Sequence, residues 1–309
     1  MHKDNKIYVA GHNGMVGSAI CRVLRKKKYR NILVANHCDL SLDKEDQVEQ
    51  FFSQNKIDYV FLAAAKVGGI LANKTQGADF IKENLKIQTN VIDIAYKFGI
   101  KKLIFLGSSC IYPRNSKQPI KEEYLLSGYL EETNLPYAVA KIAGKVMCDA
   151  YKSQFGFNTL TVMPSNVYGE GDNFHPENSH VVAGLMRKFH EAKVNNLKEV
   201  YVWGTGTPLR ELIYVDDLAD ACVFLMENYD KGGLINVGSS FEISIKELAL
   251  LISKIVGFKG EIKFDSSKPD GTPRKIMDNK LINQLGWKSN TNINNGLLKM
   301  YKWWIKEIV

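Results

Sequence analysis

An apolar run, Ile7-Tyr8-Val9-Ala10, passes directly into Gly11-His12-Asn13-Gly14-Met15-Val16-Gly17, and from there into a segment with apolar residues at helical spacing: Met15, Ala19, Ile20, Val23 and Leu24. Strand, glycine loop and helix in that order leave few folds open. A buried strand that turns this quickly into a helix needs glycine where the backbone doubles back, and a third glycine lets the helix lie close to the strand. The free N–H groups and the dipole of the helix N-terminus then face the loop, an environment suited to a pyrophosphate. The GxxGxxG spacing therefore predicts a parallel α/β sheet whose first turn cradles a dinucleotide.

The rest of the first half keeps that rhythm. Strands are predicted over Lys6–Ala10, Asn31–Asn36, Tyr59–Ala63, Lys102–Gly107 and Asn158–Met163, with a stop at Pro164. Helices are predicted over Met15–Lys26, Lys44–Asn55, Asp79–Phe98 and Leu135–Phe155. Short, continuously apolar strands between helices indicate a parallel sheet covered on both faces, a Rossmann-type doubly wound α/β fold. Beyond Pro164 glycine, proline and asparagine cluster over Ser165–Asn178 and Gly204–Pro208, and the pattern becomes irregular. Further helices are read over Val181–Ala192, Leu218–Tyr229, Ser244–Val256 and Ile293–Ile308, with a strand at Leu234–Val237. The expected organisation is a dinucleotide-binding domain over 1–165, with a segment near 214–240 returning to it, and a smaller C-terminal α/β substrate lobe over 166–309.

Composition excludes several function classes. The net charge of +8 comes from dispersed basic residues, and the densest run, Arg25-Lys26-Lys27-Lys28, closes a helix whose dipole it complements. No arginine–aromatic repeat accompanies it, which argues against nucleic acid as a partner; the basic surface suits a polyanionic small molecule instead. The apolar run after Met1–Lys6 is too brief for a signal peptide or a membrane span. Five scattered cysteines without CxxC spacing give neither a disulfide framework nor a metal site. A cytoplasmic enzyme without metal is the expectation.

Two stretches carry the chemistry. Gly107-Ser108-Ser109-Cys110-Ile111-Tyr112-Pro113 supplies a serine and a cysteine, and Pro136-Tyr137-Ala138-Val139-Ala140-Lys141 sets a tyrosine and a lysine one helical turn apart. A lysine cation there would bring the phenol's pKa down toward neutrality, making Tyr137 a proton donor to a carbonyl oxygen beside the Ser108 hydroxyl. At the end of the second strand, Asn36 and His37 suit the ribose of either nicotinamide dinucleotide. Asp39 suits an adenine amino group or a cap on the turn. Cys110 reads equally as a buried filler, and His180 as a helix cap. Trp203, at a glycine-rich bend, is either a core aromatic or a shelf for a base. Cys21, Cys148 and Cys222 read as core, and His2, His12, His175 and His190 have weaker functional cases.

Together these motifs resemble the extended short-chain dehydrogenase/reductases that act on nucleotide sugars, within them the GDP-L-fucose synthase family. The resemblance covers nearly the whole chain. It rests on residues 10–17, 63–70 (Ala-Ala-Ala-Lys-Val-Gly-Gly-Ile), 106–113 and 136–141, and continues in Asp172–Pro176, Asn178–His180, Trp203–Pro208 and Lys268–Arg274. It implies that Ser108 and Tyr137 hold a C4 carbonyl oxygen, that Lys141 holds the nicotinamide ribose, and that Cys110 and His180 are the acid–base pair that inverts C3 and C5. The cofactor would be NADPH, with NADH left open. It would be held by Gly11, His12, Asn13, Gly14, Met15, Val16 and Gly17, by Asn36, His37, Asp39 and Leu40, and by Ala63, Ala64 and Ala65. Leu106, Gly107, Lys141, Pro164, Asn166, Val167 and His180 would complete the cleft, Asn166 lying in a loop beside the nicotinamide. Lys188, Trp203, Arg210 and Asp270 would hold a GDP-4-keto sugar, Arg210 suiting its diphosphate and Lys188 serving as a point charge. The implied assembly is a homodimer built on the Asp79–Phe98 and Leu135–Phe155 helices. A second reading keeps the reductase but takes a related GDP-4-keto sugar, such as a heptose, with little or no epimerisation. A third, a non-catalytic dinucleotide sensor, leaves the Tyr137–Lys141 pair without a purpose.

Overall fold

The computed structural model describes residues 1–309 apart from Glu177, Pro269 and Ile308, and apart from the side chains of Ile70, Leu71 and Lys74. The helix end expected at Ile308, and Pro269 of the Lys268–Arg274 motif, thus lie outside the described residues. In chain order the elements begin β1 (Lys6–Ala10), α1 (Met15–Lys26), β2 (Asn31–Leu33), α2 (Glu45–Asn55) and β3 (Tyr59–Leu62). They continue with α3 (Ile70–Thr75), α4 (Gly77–Lys97), β4 (Lys102–Leu106), α5 (Leu135–Phe155), β5 (Thr159–Pro164) and β6 (Asn166–Tyr168). Then follow α6 (Val181–Val194), β7 (Glu199–Trp203), β8 (Leu209–Tyr214), α7 (Val215–Asn228), β9 (Leu234–Val237) and β10 (Glu242–Ser244). The last are α8 (Ile245–Val256), β11 (Glu261–Asp265), β12 (Arg274–Lys275), α9 (Lys280–Gln284) and α10 (Ile293–Glu307).

Six parallel strands form the main sheet in the order β2-β1-β3-β4-β5-β9. Alternation along β1 explains its two covered faces. Ile7 and Val9 point into a core shared with α1 and α7, and Tyr8 and Ala10 into one shared with α2 and α4. The chain leaves β1 for β2 on one side and crosses to β3 on the other, so the direction reverses between the carboxyl ends of β1 and β3. Such a switch point opens a crevice. β9 joins the sheet beside β5. Ile282 of α9 and Trp287 pack on the same core, an attachment the sequence reading did not anticipate.

The strand expected over Asn31–Asn36 ends at Leu33, because only Asn31, Ile32 and Leu33 find partners on β1. Lys102, read simply as the start of a strand, is buried, and its ammonium donates to the carbonyls of Leu225 (2.7 Å) and Met226 (3.1 Å) at the end of α7. A cation there answers the negative end of the helix dipole.

A second core gathers α6, α8 and α10 around β7 and β8, with Phe189, Leu248, Ile252 and Leu297 at its centre. β8 organises this half: it pairs with β6, β10 and β12. Its Glu211 is fully buried and accepts from the Met277 N–H (2.8 Å), the Ser240 N–H (2.7 Å) and the Asn279 amide (2.8 Å).

The long helices α4 and α5 meet at Gly144, where an added Cβ would stand 2.5 Å from the Phe105 ring and 2.7 Å from Gln88 Oε1. Helix propensity favours alanine over glycine by about 1 kcal/mol, but overpacking a buried ring costs ~1–3 kcal/mol. The clash wins. Gly144→Ala is expected to lower unfolding stability by up to roughly 2 kcal/mol, read as a reduced urea midpoint at unchanged slope.

Candidate active site

The glycine loop wraps the start of α1 as its spacing requires. Gly11 has φ +87°, and a Cβ there would lie 2.7 Å from Ala64 N; one on Gly17 would lie 2.1 Å from Gly11 O. The loop is thus pressed against both α1 and the end of β3, and the α1 N-terminus faces the switch-point crevice. Asn13 donates to Asn36 (3.1 Å), and Asn36 in turn to Asp39 (3.2 Å), so the loop is tied to the end of β2 by an amide chain. Exposed His37 follows Asn36. Ala63, Ala64 and Ala65, then Leu106 and Gly107, then Pro164 line the carboxyl ends of β3, β4 and β5. These are the residues expected around a dinucleotide, and they share one edge of the sheet. Asn166 departs from expectation: with Val167 it forms strand β6 rather than a loop, because β8 offers them a parallel partner, and it donates to Glu211 O (2.9 Å).

A short 3-10 turn at Ser109–Ile111 presents the serine and the cysteine, capped by Ser108 Oγ, which accepts from Cys110 N at 3.3 Å. The Ser108 hydroxyl neighbours the Tyr137 phenol on α5 and lowers its pKa, and the Phe80 ring packs edge-on against that phenol at 6.2 Å. Lys141, one turn along α5, is buried and donates to Leu106 O at 2.9 Å.

The electrostatics correct the expected tyrosine shift. Burial holds the Tyr137 phenol well above its ordinary value, the charge of Cys110 pushes the same way, and only the neighbouring Ser108 hydroxyl opposes them. Burial pulls Lys141 down to about 7. Desolvation of both groups outweighs the attraction that i, i+4 spacing promised. Tyr137 is therefore a neutral phenol at physiological pH, which is the state a proton donor needs.

His180 occupies the N-cap position of α6 but makes no side-chain cap bond there. Its ring, about half exposed, lies with Nδ1 3.4 Å from Oδ1 of buried Asp172. That hydrogen bond raises the imidazole pKa, against the opposing effect of burial. Its loop is anchored at Asn178, whose backbone packs on Gly69. Among the described residues His180 makes no hydrogen bond or ion pair with Cys110 or Tyr137.

The residues expected at a GDP group converge on the ends of β7 and β8. Asp270 accepts from Thr205 N (2.7 Å) and Thr205 Oγ1 (2.8 Å), clamping the 268–274 segment to the bend after Trp203. Gly204 takes φ +80° in that bend, and a Cβ there would collide with Asp270 Oδ1 at 2.2 Å. Trp203 is 65% exposed, a flat surface with Lys268 Nζ 5.8 Å from its ring centroid. Arg210 lies beside Gly271; burial lowers its pKa while Asp270 acts the other way. Lys188 reaches across to Tyr201 O (2.7 Å), whereas Arg187 is taken up by Phe174 O and Glu191.

Sequence reasoning passed over Lys275, whose Nζ lies 3.8 Å from Cys110 Sγ, and gave no role to Asp172 or Glu211. Asp172 carried a weak signal, standing in the quoted motif just upstream of the histidine. Lys275 carried only its place next to Arg274 at the end of another.

The NAD dependent epimerase/dehydratase family matches residues 7–238. GDP-L-fucose synthase 1 of Arabidopsis thaliana is 55% identical, over 99% of this chain and 95% of its own length. GDP-L-fucose synthase of Escherichia coli K12 is 48% identical over 97% of each. Among solved structures, a GDP-mannoheptose C4 reductase of Campylobacter jejuni with NADP bound superposes with TM-score 0.92 at 40% identity, covering 99% of both chains. A match that takes in the glycine loop, the serine–cysteine turn and the tyrosine–lysine helix, extended end to end by these relatives, makes the chain a member of the NAD dependent epimerase/dehydratase family of extended short-chain dehydrogenase/reductases.

Proposed function

We propose that this chain converts a GDP-4-keto-6-deoxy sugar by epimerising C3 and C5 and then reducing the C4 ketone with NADPH, as a GDP-L-fucose synthase. One observation carries the reading. The turn that presents Ser108 toward Tyr137 also presents Cys110, so donors for a ketone oxygen and a thiol for its α-protons share a single capped turn. Protons beside a ketone are acidified by it, and the enolate formed on their removal needs the same oxygen donors that later serve the reduction.

The glycine loop and strand ends fit a dinucleotide. NADPH, when bound there, supplies the hydride for C4. The chain's own residues do the rest. Ser108 and Tyr137 bind the C4 oxygen, and Tyr137 gives it a proton. Lys141 borders the nicotinamide ribose from its seat on Leu106 O. Cys110 removes the α-proton on one face, and His180, whose pKa the Asp172 hydrogen bond raises, returns a proton on the other. Arg210 and Lys188 neutralise the diphosphate, while Trp203 offers its exposed ring to the guanine. In this division of labour residues 1–165 with the 214–240 segment serve the cofactor, and the remainder serves the sugar nucleotide. Free thiols at all five cysteines support a cytoplasmic setting. A second copy of the chain would cover α4 and α5, where Val139, Val146 and Phe155 are 40–46% exposed.

Incubation with GDP-4-keto-6-deoxymannose and either NADPH or NADH in D₂O tests the reading. Deuterium at C3 and C5 of a reduced product, identified by NMR, is expected, with NADPH the faster cofactor. Reduction without deuterium uptake would leave a C4 reductase of a related GDP-4-keto sugar, such as a heptose. Tyr137→Phe should cut the reduction rate by roughly 10²- to 10⁴-fold while NADPH affinity, followed by fluorescence, stays near wild type. Cys110→Ser should slow deuterium uptake far more than reduction of an already epimerised ketone. Val146→Glu should convert the dimer to monomer in light scattering.

A further inference from the structure

We propose that Lys275 is the cation that pairs with Cys110 as it acts as a base, a positioning residue for proton abstraction supplied by the substrate half of the molecule. The inference rests on the reading of Cys110 as the base. Its ground is a contact across the cleft: Lys275 Nζ points at Cys110 Sγ from 3.8 Å, across a sequence separation of 165 residues.

Lys275 is held in place by its backbone. It stands opposite Arg210 in the parallel pairing of β12 with β8. Just beyond it, Ile276 N donates to Gln118 Oε1 (2.9 Å), and Ile120 N donates to Ile276 O (2.8 Å). Met277 N and the Asn279 amide then close on buried Glu211. Neighbouring Arg274 is consumed by a bidentate pair with Glu242, at 2.8 and 2.7 Å. Among the described residues no carboxylate comes within salt-bridge distance of Lys275; its hydrogen-bond partner is the thiol.

The other ionisable groups about that thiol are few. The Tyr137 phenol on α5 feels the charge of Cys110 and stays neutral. Arg210, opposite Lys275, donates to Leu209 O at 2.8 Å. Lys141 faces Leu106 O at the bottom of the cleft. Lys275 is thus the cation in contact with the sulfur. An ammonium there favours the anion over the thiol, and the thiolate is the form that takes a proton from carbon: the C–H bond breaks, an S–H bond forms, and the electron pair moves onto the C4 oxygen held by Ser108 and Tyr137.

The test is alkylation of the full-length protein by iodoacetamide as a function of pH, with the Cys110 and Cys38 peptides quantified separately by mass spectrometry. Exposed Cys38 serves as the internal control. Lys275→Met should lower the Cys110 rate near neutral pH about tenfold, with the Cys38 profile unchanged. Lys275→Arg should restore most of the rate, since it keeps the charge. In D₂O, Lys275→Met should slow exchange at C3 and C5 roughly tenfold more than reduction of the epimerised ketone. Superimposable Cys110 profiles for wild type and Lys275→Met, with only KM raised, would overturn the proposal and make Lys275 a substrate grip. Absence of deuterium exchange in wild type would instead remove the epimerase reading, and the alkylation profiles would still decide the Lys275–Cys110 contact.

Discussion

The second half of this molecule depends on one carboxylate that is buried, among the described residues, without a cation. Glu211 is 0% exposed, and burial pushes its carboxyl pKa up. A carboxylate in that position is costly unless hydrogen bonds satisfy it. Here the donors come from the turn after β9 and from the chain beyond β12, so those segments must close around β8 together. Gly238 completes the fit, because any side chain there would strike the carboxylate at 2.2 Å. Arg210, Lys275 and the Asp270 clamp are carried by β8 and the chain leading into and through β12. Their mutual geometry follows from satisfying a neighbour's charge.

On the cofactor side the controlling effect is desolvation. Tyr137 and Lys141 lie one turn apart, and the simple reading has the cation acidify the phenol. Burial instead drives each toward its neutral form, the phenol upward and the lysine to about 7. A neutral phenol already carries the proton that a C4 alkoxide requires. His180 is arranged the opposite way, with Asp172 favouring its protonated form. The site thus pushes its two donors in opposite directions, one toward its neutral and one toward its charged form, through burial and one carboxylate.

Elements that impose their own periodicity were legible in the sequence. β1, α1 and α5 fall on the residues predicted for them, and the glycine loop lies where its spacing put it. The short strands β6, β10 and β12 were not, since two or three residues carry no period and exist as strands only because β8 pairs with them. The candidate site divides in the same way. Groups close in sequence, such as Ser108 with Cys110 or Tyr137 with Lys141, were visible as units. Lys275 was invisible because its thiol neighbour belongs to a distant segment, and the tyrosine shift was misjudged because the burial of Lys141 is a property of the packed α5–β4 interface.

The separation of Lys275 from Cys110 has a meaning for the life of the chain. During synthesis the cofactor half leaves the ribosome first, its cysteine turn exposed to whatever electrophiles and oxidants the cell contains. The residues that build β12 follow 165 positions later, and their ammonium meets the sulfur only once the strand has docked on β8. Until then Cys110 lacks its cationic neighbour, which makes it less reactive. Reactivity is thereby deferred to the folded protein, where the cleft decides which molecules reach the sulfur.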